Sequence, residues 1–133
     1  MVMREVKFRA YTKEYGMQNV RELLWKDDGS IASVSFDSGI SVLTNRGVGK
    51  DIVVEQYTGI NDYLDNEIYE GDIVLARQMV PGDPDSMIGV VNFFEGAYWI
   101  DNKHDGIKLW NETVAVNVIG NVHEDYELVE GDE

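Results

Sequence analysis

Gln56-Tyr57-Thr58-Gly59-Ile60-Asn61-Asp62-Tyr63-Leu64-Asp65-Asn66-Glu67-Ile68-Tyr69-Glu70-Gly71-Asp72-Ile73-Val74-Leu75 is the stretch on which the fold turns. Two glycines, several carboxylates and three tyrosines crowd into it, and it ends by feeding an apolar run. Gln56 to Gly59 reads as a strand ending in a tight turn. Asp65-Asn66 reads as a second turn, since both side chains tolerate left-handed backbone and bond locally to it. Ile68-Tyr69 is a short paired piece. Glu70-Gly71-Asp72 is a turn that launches the strand Ile73 to Ala76, with Asp72 placed to accept backbone N–H bonds.

Short strands continue on both sides. Val6 to Tyr11 alternates apolar with polar at a period near two, so Lys7 and Arg9 share one face and Val6, Phe8 and Ala10 the other. In Met17 to Lys26, Val20, Leu23 and Leu24 stand at i, i+3 and i+4, which also suits a short helix. The hairpin signal Asp27-Asp28-Gly29-Ser30 that follows favours a strand. Ile31 to Phe36 and Ile40 to Leu43 read as strands around Ser38-Gly39. Further on, Met87 to Phe94 and Ala97 to Asp101 form a hairpin about Glu95-Gly96. Pro81-Gly82-Asp83-Pro84-Asp85 is a surface loop. Asn102 to Asn111 is polar, with Ile107, Leu109 and Trp110 as anchors. Thr113 to Val122 is a β-branched run in which Gly120 permits a bend. The tail His123–Glu133 is acidic, and its last residues have little to bury.

The expectation is a mainly β protein. Residues 1–55 form an N-terminal β region and a candidate for oligomerisation, 56–72 a junction segment, and 73–133 an SH3-like barrel with an acidic tail. Closure would remove exposed sheet edges. An open meander is the other arrangement these strands allow.

With 133 residues, 44% of them hydrophobic and 27% charged, the chain has enough apolar material for a core and is not disordered in bulk. It lacks cysteine, which excludes disulfides and thiolate metal sites and suits a reducing cytosol. The N-terminus lacks the apolar stretch of a signal peptide, and no apolar run approaches the roughly 18–20 residues of a membrane span. A cytoplasmic protein of a bacterial host, without membrane association, is expected.

The net charge of -14 is unevenly spread. Residues 1–50 carry eight bases and six acids, and residues 51–133 three bases and 19 acids. Such a field repels phosphate, so direct nucleic-acid binding is disfavoured, while a basic partner would be attracted.

Four blocks together are similar to the YopX family of small phage and prophage proteins of unassigned activity. They are Arg4-Glu5-Val6-Lys7-Phe8-Arg9-Ala10, Gln56-Tyr57-Thr58-Gly59-Ile60, Glu67-Ile68-Tyr69-Glu70-Gly71-Asp72-Ile73-Val74 and Val118-Ile119-Gly120-Asn121-Val122-His123-Glu124. The chain departs from the family at Tyr11, usually Trp, and at Asp65-Asn66, often Asn-Gly. The resemblance implies a mostly β fold with an SH3-like second part, homo-oligomeric assembly and a phage or prophage origin. It implies no reaction.

The residues themselves argue against an enzyme and against a cofactor or metal. Gly47, Gly49 and Lys50 have the wrong spacing for a phosphate-binding loop, and Asp51 follows the lysine. Asp62, Asp65, Glu67, Glu70 and Asp72 do not follow a calcium-loop pattern. His104 and His123 alone cannot complete a zinc site. No Gly-x-Ser-x-Gly elbow is present. Interaction is the remaining chemistry. Tyr57, Tyr69, Phe93, Tyr98, Trp99 and Trp110 could furnish an aromatic groove. Tyr98 and Trp99 point to opposite faces, so one of them is expected at a surface or subunit contact. Lys7 and Arg9 are expected to pair with the acidic second segment, within or between subunits. The partners expected are a second copy of the chain and a host or phage protein.

Overall fold

The computed structural model describes residues 5–43, 52–78, 86–103, 106–111 and 114–130. The glycine-rich segment 45–50, the proline loop 81–85, His104 and residues 131–133 lie outside the described residues. The protein is mainly β, with two antiparallel sheets and one short helix among the described residues. The chain divides into two compact units, Met1–Tyr57 and Thr58–Glu133.

The first unit contains β1 (Phe8–Thr12), β2 (Gly16–Trp25), β3 (Ile31–Phe36), β4 (Ser41–Leu43) and the start of β5 (Val53–Asn61). Their order is β4-β3-β2-β1-β5, so β5 returns to lie beside β1. Alternation sends Val34 and Phe36 into a core with Ala10 and Ile52, all at most 1% exposed. The hairpin between β2 and β3 turns where the sequence placed it. Gly29 has a φ of 89°, and Asp28 Oδ1 accepts Ser30 N–H at 2.8 Å.

The helix-like spacing in β2 has a β explanation. Val20 pairs with Phe36 and Leu23 with Val34, because the register shifts between Val20 and Glu22. A bulge inserts one residue and moves the next inward position from i+2 to i+3. Val20 and Leu23 therefore both pack on the core, whereas Leu24 is 57% exposed.

The second unit opens with the end of β5, which forms a hairpin with β6 (Glu67–Tyr69) around Asp62–Asn66. Then come β7 (Asp72–Gln78), β8 (Ser86–Phe94), β9 (Ala97–Asp101), β10 (Gly106–Lys108), β11 (Val114–Asn121) and α1 (Glu127–Glu130). The core gathers Ile68, Val74, Ala76, Val91, Ile100, Leu109 and Val116. β11 bulges at Ile119, between Val118 and Gly120, so Gly120 does mark the irregularity expected of it.

Two expectations are corrected here. Gly59 does not end its strand. It adopts a φ of 85° inside β5, where the Thr58 hydroxyl accepts Ile60 N–H at 3.1 Å and donates to Ile68 O at 2.8 Å. The turn comes three residues later. The SH3-like closure is also not seen. The sheet β10-β9-β8-β7-β11 is open, and β11 returns beside β7 and so does not continue a simple meander. The physical reason lies at the free side of β11. Val116 O accepts Tyr63 N–H at 2.8 Å, and Val118 N donates to Asp62 Oδ2 at 2.9 Å. A turn, not a strand, satisfies that edge.

The start of the acidic tail is tied down. Val122 N donates to Gly71 O at 2.9 Å, and Asp125 N to Asn121 O at 2.9 Å. No helix among the described residues is long and apolar enough to cross a membrane.

Candidate functional site

Lys7, Arg9 and Tyr57 meet in the first unit, because alternate residues of β1 and β5 share a face. Arg9 and Glu55 are directly opposed, and Arg9 Nε donates to Glu55 Oε1 at 3.0 Å. Both residues are buried. Glu55 belongs to the acidic second segment, so this pairing forms within the chain. Lys7 Nζ lies 3.0 Å from a Glu5 carboxylate oxygen and 5.9 Å from the centre of the Tyr57 ring. Tyr57 is itself buried and offers no open groove.

Tyr69 is buried too, with its hydroxyl 3.4 Å from Glu67 Oε1. Its backbone N–H donates to Asp72 Oδ2 at 2.8 Å, the role expected of Asp72 beside Gly71 at a φ of 84°.

Asp62 organises the neighbouring turn. Its Oδ1 accepts Leu64 N–H at 2.9 Å and Asn66 N–H at 2.8 Å. Its Oδ2 accepts Val118 N–H at 2.9 Å and Asn66 Nδ2 at 3.2 Å. Burial alone would push the carboxyl pKa up. The four hydrogen bonds outweigh it and hold the pKa below the ordinary value. Asp65 sits at a φ of 67° and accepts Asn61 Nδ2 at 2.9 Å. These acids shape a turn, and among the described residues no three His, Asp or Glu side chains converge as metal ligands would. His104 falls outside the described residues. His123 starts the tail turn, its N–H donating to Asn121 Oδ1 at 3.0 Å.

Four of the exposed aromatic residues border two clefts, while Tyr15, Trp25 and Tyr126 line neither. On the hairpin of β8 and β9, Tyr98 turns to the core and meets Phe93 edge to face at 5.0 Å. Trp99 takes the other face, as strand alternation requires. Its Nε1–H donates to Phe94 O at 3.0 Å, and Lys108 Nζ lies 5.8 Å from its ring centre. Phe93 and Phe94 are 56% and 62% exposed. With Asn92, Trp99, Asp101 and Lys103 they border a shallow groove of about 510 Å³.

For the second cleft the sequence offered Trp110 as a groove residue but not its neighbour Tyr63. Tyr63 and Trp110, each 71% exposed, flank a cleft of about 260 Å³. Its floor is Ile68, Leu109 and Val116. Leu109 anchors its segment as expected, 4% exposed with its N–H on Tyr98 O at 3.0 Å. Trp110 does not, and points outward. The signal available was the adjacent pair Leu109-Trp110, of which only one can face a core.

The molecule so described is an antiparallel β protein of two units with exposed aromatic side chains. A family model described as YopX protein matches residues 7–130, and the chain belongs to that family. Among solved structures, the YopX protein of Bacillus subtilis is similar at 18% identity and a TM-score of 0.68, over 95% of this chain and 98% of that one. Protein EF1440 of Enterococcus faecalis is similar at 23% identity and a TM-score of 0.64, over 96% and 99%. These likenesses concern the fold. None of the curated proteins matches.

Proposed function

We propose that this protein is a non-enzymatic, homo-oligomeric phage or prophage accessory protein of the bacterial cytoplasm that acts by binding a macromolecule. The binding surface is the aromatic face of β8 to β10. The observation that carries this reading is the exposure of Phe94, which shares one face of the β8–β9 hairpin with Trp99. Contiguous apolar surface of this kind marks interaction sites. Affinity capture from prophage-bearing cells, comparing wild type with Phe94→Ser, tests it. Phe94 is exposed, so the variant should melt like the parent. A partner retained by wild type and lost by the variant is expected. Equal recovery by both would remove this face from the reading.

Charge favours a second reading, an acidic protein that sequesters a basic host protein. The division after Tyr57 leaves the first unit with eight bases and eight acids. The second holds three bases and 17 acids, and so the whole of the -14. If the protein mimics DNA, DNA-binding host proteins should be captured and duplex DNA should compete them off. Capture indifferent to DNA would count against mimicry.

A further inference from the structure

We infer that the cleft between Tyr63 and Trp110 receives a cationic side chain of a protein partner, the ammonium or guanidinium of an exposed lysine or arginine. Three observations meet there. Tyr63 and Trp110 are the two most exposed aromatic side chains among the described residues, and both border the same cleft. Among the described residues no lysine or arginine lines it, although the unit's described bases include Lys103 and Lys108. At its margin lies Asp62, in a unit with 17 acids and three bases.

The arrangement also selects the kind of cation. A carboxylate has about four lone-pair sites, and the four hydrogen bonds to Asp62 occupy them. A hard metal ion would find no bare oxygen there. The negative charge persists, however, and its field reaches the cleft. A large, weakly hydrated cation needs no such oxygen, because aromatic faces attract it through the ring quadrupole. The apolar floor of Ile68, Leu109 and Val116 suits the aliphatic stem that carries the charge. This site is separate from the β8 to β10 face and does not depend on it.

Tetramethylammonium chloride is a sufficient probe, with sodium chloride as the ionic control and tert-butanol as the neutral one. The indole N–H signals of the three tryptophans report binding by NMR, that of Trp110 being assigned with Trp110→Phe. A saturable shift of the Trp110 signal is expected with tetramethylammonium and with neither control. Tyr63→Ala should raise the half-saturating concentration roughly 2- to 30-fold. Tyr63→Leu keeps bulk without a π-face and should do the same. Phe94→Ser should leave the titration unchanged. An unsaturable shift, an equal response to tert-butanol, or full binding by both Tyr63 variants would overturn the assignment.

Discussion

Asp62 shows at the scale of a residue what the acid-rich stretch is for. One carboxylate takes four hydrogen bonds, three from backbone N–H groups, and one of those comes from 56 residues away. Asp62→Asn keeps the shape but turns an amide NH₂ toward donors. At pH 7 it should lower stability by about 2 kcal/mol, read from urea unfolding. The pH dependence follows from the depressed pKa of Asp62. Its contribution is present above the unfolded value of about 3.9 and is lost as pH falls through the folded value. The gap between wild type and Asp62→Asn should therefore narrow below about pH 4. A gap that stayed constant from pH 7 to pH 2.5 would contradict this account. Arg9 and Glu55 make the complementary case. Arg9→Met removes the guanidinium 3.0 Å from a buried carboxylate and should lower stability by up to about 3–5 kcal/mol. The double variant Arg9→Met/Glu55→Leu should recover much of that loss in the same unfolding measurement.

At the scale of an element, the bulges and the edge of β11 carry the most information. Gly120 follows the bulge, and a Cβ there would lie 2.7 Å from Asp125 Oδ2 and 2.8 Å from Asp125 Cβ. Asp125 is not free to yield, since its Oδ2 accepts Asn121 N–H at 3.1 Å. Gly120→Ala should thus cost about 1–3 kcal/mol and loosen the start of the tail. Faster amide exchange at Asn121 and Val122 would show it, and unchanged exchange would speak against it. The outer side of β11 is met by Tyr63 N–H and the Asp62 carboxylate. Asp62 thereby takes the place of a neighbouring strand's carbonyl, a way of blunting an edge against further pairing.

At the scale of the whole molecule, charge is the organising quantity. The first unit is neutral, and the second holds 17 acids to three bases. Arg9 is satisfied within the chain, while Lys13, Arg21 and Lys26 are exposed on the first unit. A homo-oligomer that sets these bases against acids of a neighbouring copy should shrink as salt is raised, because screening shortens to about 3 Å at 1 M. Light scattering after size exclusion at 50 mM and 1 M sodium chloride reads this directly. A size that does not change with salt would remove charge pairing from the assembly.

The amino-acid sequence by itself determined the β class, most turns, the family and the charge division. These rest on local chemistry: alternation in Val34 and Phe36, left-handed turn positions at Gly29, Asp65 and Gly71, and the count of ionisable groups. Only the tertiary structure decided what depends on distant partners. Val20 and Leu23 share a face because pairing with β3 forces a bulge. Gly59 stays within its strand because Thr58 finds Ile68 O. The second sheet stays open because Asp62 and Tyr63 reach the free side of β11. Trp110 faces outward because Leu109 takes the core position. The first three outcomes are set by contacts between residues at least 10 positions apart, and for Trp110 the sequence showed that one of the pair Leu109-Trp110 must face out but not which.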